Sequence, residues 1–122
     1  MARVLVVEDD PQVRMMLRMM LERAGYEIGE ACDGKEAIRS QRDDPADLII
    51  TDIIMPETEG LETIMEVRRE WPSVPIIAIS GGGTEPPEKY LKLAKGLGAC
   101  RSFPKPVDRD EMLQAVGELI EA

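Results

Sequence analysis

Five short apolar runs, separated by amphipathic stretches, constrain the fold of this chain more than any other feature of its sequence. Four of the runs are mostly aliphatic and end at turn residues, which is typical of strands buried on both faces of a sheet. The second run is interrupted by charge and predicts an edge strand. The predicted strands are Arg3–Val7, Glu27–Ala31, Leu48–Thr51, Pro75–Ile79 and Cys100–Phe103. Because single helices alternate with these strands, we expect one parallel α/β sheet with right-handed crossovers.

Capping signals mark where several of the predicted helices begin and end. A capping aspartate followed by proline favours a helix start, because the missing N–H of proline would be unpaired in that position. Aspartate with glutamate three residues later has the spacing of a capping box. The start signals are Asp10 with Pro11, Asp33 with Glu36 and Asp108 with Glu111, and the end signals are Gly25 and Trp71-Pro72.

The charge balance excludes several classes of function. The chain carries 15 Lys and Arg against 24 Asp and Glu, a formal net charge of −9, and it has no His. Such an acidic surface repels phosphate backbones and anionic lipids, so we expect neither nucleic-acid nor membrane binding. Without His, a His-ligated zinc site and His-dependent nucleophilic catalysis are excluded as well.

Length and targeting signals indicate one cytoplasmic domain. A chain of 122 residues with 43% hydrophobic content is long enough for one ordinary core, and we expect a single domain over residues 1–122. The sequence has no secretory signal and no apolar segment of about 18 residues. Cys32 and Cys100 match neither a disulfide framework nor a metal pair, so we expect reduced thiols.

Polar side chains follow four of the predicted strands, at the sheet edge where α/β proteins bind ligands. Neighbouring carboxylates disfavour one another's ionisation unless a cation joins them, and Mg²⁺ prefers such oxygen ligands. A lysine and a hydroxyl beside them would complete a pocket for a phosphoryl group. In a chain without His, the nucleophile is then a carboxylate. The residues at this edge are Glu8, Asp9, Asp10, Asp52, Ser80 and Lys105.

Four sequence motifs resemble the receiver domain of two-component response regulators. The motifs are VLVVEDDP, LIITDIIMPETEG, IIAISG and FPKP, they occur in the family's order, and the likeness runs from Arg3 to Ile120. The resemblance implies a flavodoxin-like (βα)₅ fold with the strand order 2-1-3-4-5. We expect a receiver of the stand-alone, single-domain type, with a receiver excised from a longer protein as the alternative.

The resemblance also implies the acceptor and the metal ligands. Asp52 is expected to be the phosphoacceptor. The expected ligands of Mg²⁺ are Asp9 directly, Glu8 through a coordinated water, Asp52, and the backbone carbonyl of Ile54.

Family resemblance further implies the phosphoryl contacts and the partners. Ser80 and Lys105 are expected to bind phosphoryl oxygens, and the Lys105–Pro106 bond is expected to be cis. The donor is expected to be a phosphohistidine of a sensor histidine kinase or a histidine phosphotransfer protein. The domain would catalyse only its own phosphorylation and slow dephosphorylation, and would signal to a downstream protein that the sequence does not identify.

Two places depart from the family pattern. Three residues before the lysine, where most receivers carry an aromatic side chain, this chain has Ser102, and Phe103 follows one position later. The aromatic half of the usual switch is therefore missing. The segment Gly81–Pro87 is longer and richer in glycine than is usual, and we expect a mobile loop that orders on phosphorylation, with an ordinary surface loop as the alternative.

The first helix is rich in methionine. Its predicted core face includes Met20, with Met16 on or beside it, whereas Met15 and Met19 fall well off this face. Methionine suits surfaces that must repack, so the outer methionines are either tolerated on the surface or form a docking patch for kinase helices. The remaining residues of the predicted core face are Val13, Leu17, Leu21 and Ala24.

Two other interpretations of the strand-end residues stay open. A degenerate receiver would act as an interaction module without being phosphorylated, although the set of site residues is complete. A phosphatase of the haloacid-dehalogenase type would also use a strand-end aspartate with Mg²⁺. That class carries a second aspartate two residues after its nucleophile, where this chain has Ile54.

Overall fold

The computed structural model describes residues 2–53, 59–81 and 87–121, in which five strands and five helices alternate. Ile54 and most of the segment Gly81–Pro87 lie outside the described residues, and so do the expectations that concern them. The elements are β1 Arg3–Val7, α1 Pro11–Arg23, β2 Glu27–Ala31, α2 Gly34–Asp43, β3 Leu48–Asp52, α3 Glu59–Glu70, β4 Ile76–Ser80, α4 Pro87–Leu97, β5 Arg101–Pro104 and α5 Arg109–Glu121.

The strands form one parallel sheet in the order β2-β1-β3-β4-β5. This order confirms the predicted fold, and it confirms that Glu27–Ala31 is an edge strand. The chain reverses direction across the sheet after β2, so the carboxyl ends of β1 and β3 lie side by side. The topological switch point of the sheet therefore lies between these two strands.

Two apolar layers cover the faces of the sheet. Successive strand residues point to opposite faces, so Leu5 and Val7 pack with α2, α3 and α4, while Val4 and Val6 pack with α1 and α5. Burial on both faces explains why the central strands are continuous apolar runs rather than alternating ones.

The predicted helix caps are confirmed. Each capping aspartate accepts a hydrogen bond from a backbone N–H in the first turn of its helix, which satisfies a donor that has no partner within the helix. The pairs are Asp10 with the N–H of Gln12 at 2.9 Å, Asp33 with that of Glu36 at 2.8 Å and Asp108 with that of Glu111 at 2.9 Å. Gly25 follows α1 with a φ of 98°, a conformation that favours glycine.

Three strands differ from their predicted bounds by one residue at one or both ends. β3 ends at Asp52 and β4 runs over Ile76–Ser80, because backbone pairing continues one residue beyond each predicted end. β5 runs over Arg101–Pro104 rather than Cys100–Phe103. Asp52 and Ser80 are thus paired through their backbones within the sheet, which fixes their side chains more firmly than a loop would.

Of the α1 methionines, Met16 alone is more exposed than predicted. Met15, Met16 and Met19 are exposed by 61%, 43% and 46%, whereas Met20 is buried as expected. The placement of Met16 beside the core face was wrong, because it lies about 100° around the helix from the buried Leu17. Ala24 is exposed too, since α1 ends at Arg23.

Two further expectations can be compared with the structure. Among the described helices, none is both long enough and apolar enough to span a membrane. Cys32 and Cys100 are free thiols, one just after β2 and the other just before β5, at opposite edges of the sheet.

Candidate functional site

Four strand ends bring the predicted polar residues to one edge of the sheet. Glu8 directly follows β1, Asp52 ends β3, Ser80 ends β4 and Lys105 directly follows β5. Glu8 and Ser80 have no exposed surface, and Asp52 is only 2% exposed. Charged groups are rarely buried to this extent unless they are paired, so these side chains need partners at the site.

The ammonium of Lys105 contacts both buried carboxylates. Its Nζ lies 2.6 Å from Oε1 of Glu8 and 2.9 Å from Oδ2 of Asp52. The Lys105 side chain is 22% exposed, so the cation reaches the buried acids from the rim of the site. One ammonium therefore compensates part of the charge of two acids.

A third carboxylate joins this cluster. Glu8, Asp9 and Asp52 each place one oxygen within 4.8 Å of those of the other two, and Asp9 is exposed to solvent. Three negative charges with the one positive charge of Lys105 leave a formal excess of two negative charges. A small divalent cation with oxygen ligands fits this arrangement in both charge and donor chemistry.

The pKa of Glu8 is raised to about 7, chiefly by burial and with a contribution from the negative charge of Asp52, against the opposing effect of the hydrogen bond to the Lys105 ammonium. Burial lowers the pKa of Lys105, but its hydrogen bonds to Glu8 and Asp52 outweigh burial and bring that pKa above its ordinary value. Lys105 is therefore a permanent cation at neutral pH. The Glu8 carboxylate is incompletely compensated, which is a second indication that the cluster fits an added cation.

Ser80 presents a buried hydroxyl to the same edge. Its Oγ has no hydrogen-bond partner among the described residues, and leaving a buried polar group unpaired costs stability. The Ser80 carbonyl accepts the Lys105 N–H at 2.9 Å, which ties the two site residues together through the backbone. In the sheet register, Asp52 lies opposite Ile79, next to Ser80. A ligand oxygen bound near Asp52 would supply the partner that the hydroxyl lacks.

The turn after β1 is held by contacts that the sequence did not reveal. Arg14 donates from Nη1 to the Glu8 carbonyl at 2.8 Å, and its Nε lies 3.4 Å from Oε1 of Glu30. The Asp10 N–H donates to Oε2 of Glu8 at 3.1 Å. No local motif marks Arg14, because its partner at the site is a backbone carbonyl.

Two glycines near the site were also missed by sequence reasoning. A Cβ on Gly81 would collide with Cβ of Lys105 and lie only 3.0 Å from its Cγ, so the lysine stem occupies the space that a side chain would fill. A Cβ on Gly60 would collide with the Ile53 backbone next to Asp52. Both glycines permit close packing around the acceptor strand and the lysine.

The structure also shows where Ser102 and Phe103, which depart from the family pattern at β5, lie. Phe103 packs with the apolar layer beneath α1 and α5, and Ser102, the preceding residue, therefore points to the opposite face of the sheet. Both side chains are half-buried. The Lys105–Pro106 bond is cis, as expected.

A second cluster of possible metal ligands belongs to a helix cap. Cys32, Asp33 and Glu36 also place one ligand atom each within 4.8 Å of the others. Here Asp33 caps α2, and Glu36 accepts the Cys32 N–H at 3.2 Å and lies 2.9 Å from its Sγ. The hydrogen bond to Glu36, assisted by burial, raises the pKa of the Cys32 thiol. This cluster is therefore accounted for by capping.

Comparison with known proteins places this geometry in a family. The family model for the response regulator receiver domain matches residues 4–117. The chain is 39% identical over 118 residues to the chemotaxis protein CheY of Thermotoga maritima, covering 96% of each protein. Among solved structures, chemotaxis protein CheY4 of Vibrio cholerae superposes with a TM-score of 0.84 at 32% identity, with 98% of each chain covered.

Several relatives are much longer than this chain. It is 35% identical over 117 residues to the CAI-1 autoinducer sensor kinase/phosphatase CqsS of Vibrio cholerae, and these span 93% of this chain but 17% of CqsS. It is 31% identical to the transcriptional regulatory protein GlrR of Escherichia coli, of which it covers 26%. The chain therefore matches one part of each of these longer proteins.

Proposed function

This chain belongs to the response regulator receiver domain family, and we propose that it accepts a phosphoryl group on Asp52. The observation that carries the proposal is the burial of the Asp52 carboxylate, 2.9 Å from the Lys105 ammonium and within 4.8 Å of two further carboxylates. Carboxylates converge in this way at a cost in stability, which a functional ligand would offset. The proposed ligands are a divalent cation and a phosphoryl group.

The proposed reaction is an in-line displacement at phosphorus. An Oδ of Asp52 attacks the phosphorus of a phosphohistidine, a P–O bond forms, and the P–N bond breaks with its electron pair remaining on the imidazole of the donor. Lys105 would donate to a phosphoryl oxygen, and the unpaired hydroxyl of Ser80 would donate to another. These contacts hold the transferred group in place once the donor leaves.

The proposed ligands of Mg²⁺ are Glu8, Asp9 and Asp52. When bound there, Mg²⁺ would neutralise the charge that carboxylates and phosphoryl oxygens bring together. Glu8 must be ionised to serve as a ligand, and its raised pKa makes cation binding pH-dependent near neutrality. Arg14 would orient this site by holding the Glu8 backbone.

The proposed donor is a sensor histidine kinase or a histidine phosphotransfer protein. The likeness to a part of CqsS, a sensor kinase/phosphatase, associates this type of domain with such proteins. The exposed residues Met15, Met16 and Met19, which we call the α1 methionine surface, would contact the donor's helices. α1 begins directly after the Glu8–Asp10 turn, so a protein docked on its first turns would reach the acceptor.

Charge substitution tests this docking surface separately from the chemistry. The variant with Met15→Glu and Met19→Glu should keep its rate of phosphorylation by a small-molecule donor and lose transfer from a phosphorylated histidine phosphotransfer protein. Equal rates from the protein donor would exclude the α1 methionine surface. Beyond its own phosphorylation and slow dephosphorylation, we propose no catalytic activity for the domain, which would signal through a downstream protein.

Intact-mass measurement after incubation with acetyl phosphate and Mg²⁺ tests the function. We expect one added phosphoryl group, absent with EDTA and absent in Asp52→Asn. Beryllofluoride, a phosphoryl mimic, should raise the unfolding temperature of the wild type in the presence of Mg²⁺. No adduct together with no beryllofluoride stabilisation would contradict the proposal and indicate a degenerate interaction module.

A further inference from the structure

The exposed large hydrophobic side chains of the described residues fall into two groups. One is the α1 methionine surface, and the other consists of Met65 on α3 and Leu93 on α4, exposed by 53% and 49%. The second group lies on helices that the proposed phosphoryl transfer does not use. It therefore requires a separate explanation.

Leu93 lines a groove between α3 and α4. Met65 is one helical turn beyond another lining residue, Leu61. The groove has a volume of about 430 Å³ and is lined by Leu61, Lys92, Leu93, Gly96 and Leu97, and we call it the α3–α4 groove. Leu61 and Leu97 pack onto the core beneath it, so they form an apolar floor. Gly96 contributes no side chain, and a Cβ there would meet nothing within 4 Å, which leaves room for an incoming side chain.

Arg68 holds the two walls of the groove together. Its guanidinium donates to the carbonyl of Pro72 at 2.7 Å and to that of Val74 at 2.8 Å, which fixes the end of α3. It also donates to the carbonyl of Gly98, just after α4, at 2.9 Å. A groove whose walls are already cross-linked loses little conformational freedom when it is filled.

The groove carries a cation in a strongly acidic chain, and a second cation lies further along α3. Lys92 lines it, and Arg69 continues the row of Leu61 and Met65 along α3 at spacings of four residues. Both cations are exposed. The acidic residues Glu62 and Glu66 of α3 lie on the other flank of that helix, where they line the cleft with α2. Among the described residues that line the groove, the single charged side chain is therefore a cation, in a chain with a net charge of −9.

We propose that the α3–α4 groove binds an acidic amphipathic helix of a partner protein. Apolar residues of that helix at i, i+4 and i+7 would fill the groove beside Leu93 and over Gly96, and its flanking carboxylates would pair with Lys92 and Arg69. A second copy of this chain is disfavoured as the occupant, because two chains of net charge −9 repel each other. The proposal does not depend on phosphoryl transfer, since it concerns a surface of the unphosphorylated protein.

Fluorescence anisotropy with two designed helical peptides tests the proposal. Both peptides carry leucines at i, i+4 and i+7, and they differ only in flanking residues, glutamates in one and lysines in the other. We expect saturable binding of the glutamate peptide, at least about tenfold tighter than binding of the lysine peptide. Leu93→Gln and Lys92→Glu should each weaken it about tenfold, a loss typical of contacts at the centre of an interface.

Lys35→Glu is the matched control for Lys92→Glu, since it makes the same charge change at an exposed lysine of α2 and should leave peptide binding unchanged. Amide chemical-shift changes on adding the glutamate peptide should concentrate on α3 and α4. Equal affinity for both peptides, no saturable binding, or insensitivity to Leu93→Gln would overturn the proposal. Concentration-dependent dimerisation of the protein that Leu93→Gln abolishes would also overturn it, in favour of a second copy.

Discussion

The Nζ of Lys105 lies 2.9 Å from Oδ2 of Asp52, although 53 residues separate the two in the chain. This contact joins the end of the central strand β3 to the turn after the edge strand β5. The same ammonium lies 2.6 Å from Glu8, so one side chain holds the acidic site together. The stability of the fold, the pH dependence of that stability and the proposed phosphoryl transfer therefore all depend on the Lys105 ammonium.

Lys105→Met should destabilise the protein by about 3 kcal/mol at pH 7. The substitution leaves two buried carboxylates without their cation, and removing one partner of a buried ion pair is strongly destabilising. Urea unfolding measures the effect, with Lys92→Met as the control because Lys92 is exposed. A Lys105→Met protein as stable as the wild type would show that the acids do not need the ammonium.

The metal-free protein should lose stability as the pH rises from about 5 to about 7.5 through the titration of Glu8. The pKa of Glu8 is about 7 in the folded protein against an ordinary value of 4.5, so the folded state holds this proton more tightly than the unfolded chain. The resulting stabilisation is complete below the unfolded pKa and is lost as pH rises through the folded pKa. Glu8→Gln should remove this slope, measured by urea unfolding in EDTA, and an unchanged slope would contradict the raised pKa.

Asp52→Asn should leave the domain folded and raise its stability by up to about 1 kcal/mol at pH 7. The change removes a negative charge that raises the pKa of Glu8, while Lys105 keeps its partner in Glu8. Thermal unfolding without Mg²⁺ is the measurement. A loss of stability would mean that the carboxylates do not repel one another as their spacing indicates.

Gly81→Ala should displace the Lys105 side chain, because the new Cβ would occupy the space of the lysine stem. We expect slower phosphorylation from acetyl phosphate and a loss of about 1 kcal/mol in stability. Gly96→Ala is the matched control, since its Cβ has open space and it replaces a glycine inside a helix, which should stabilise by up to about 1 kcal/mol. Unchanged phosphorylation in Gly81→Ala would show that the lysine accommodates the methyl group.

Much of the site was predictable because of one topological rule. The carboxyl ends of parallel strands meet at one edge, so polar residues after apolar runs, such as Glu8 and Asp52, could be placed together before their distances were known. The strand order itself came from family resemblance, since the apolar pattern does not determine which strands are neighbours.

The remaining features depend on contacts that no local pattern encodes. Arg14 acts on a backbone carbonyl, and Gly81 matters because a lysine 24 positions further along the chain crosses it. The exposure of Met16 follows from how α1 sits on the sheet, which helical periodicity gives only approximately. Such features become visible only when packing is known.

Chemical trapping can identify which residue carries the phosphoryl group. Borohydride reduces an aspartyl phosphate to homoserine, so the protein is treated with acetyl phosphate and Mg²⁺, reduced, digested and mapped by mass spectrometry. If Asp52 is the phosphoacceptor, homoserine should appear at position 52, and none should appear when Mg²⁺ is removed with EDTA. Homoserine at Asp9 or at another acid, with Asp52 intact, would contradict that assignment.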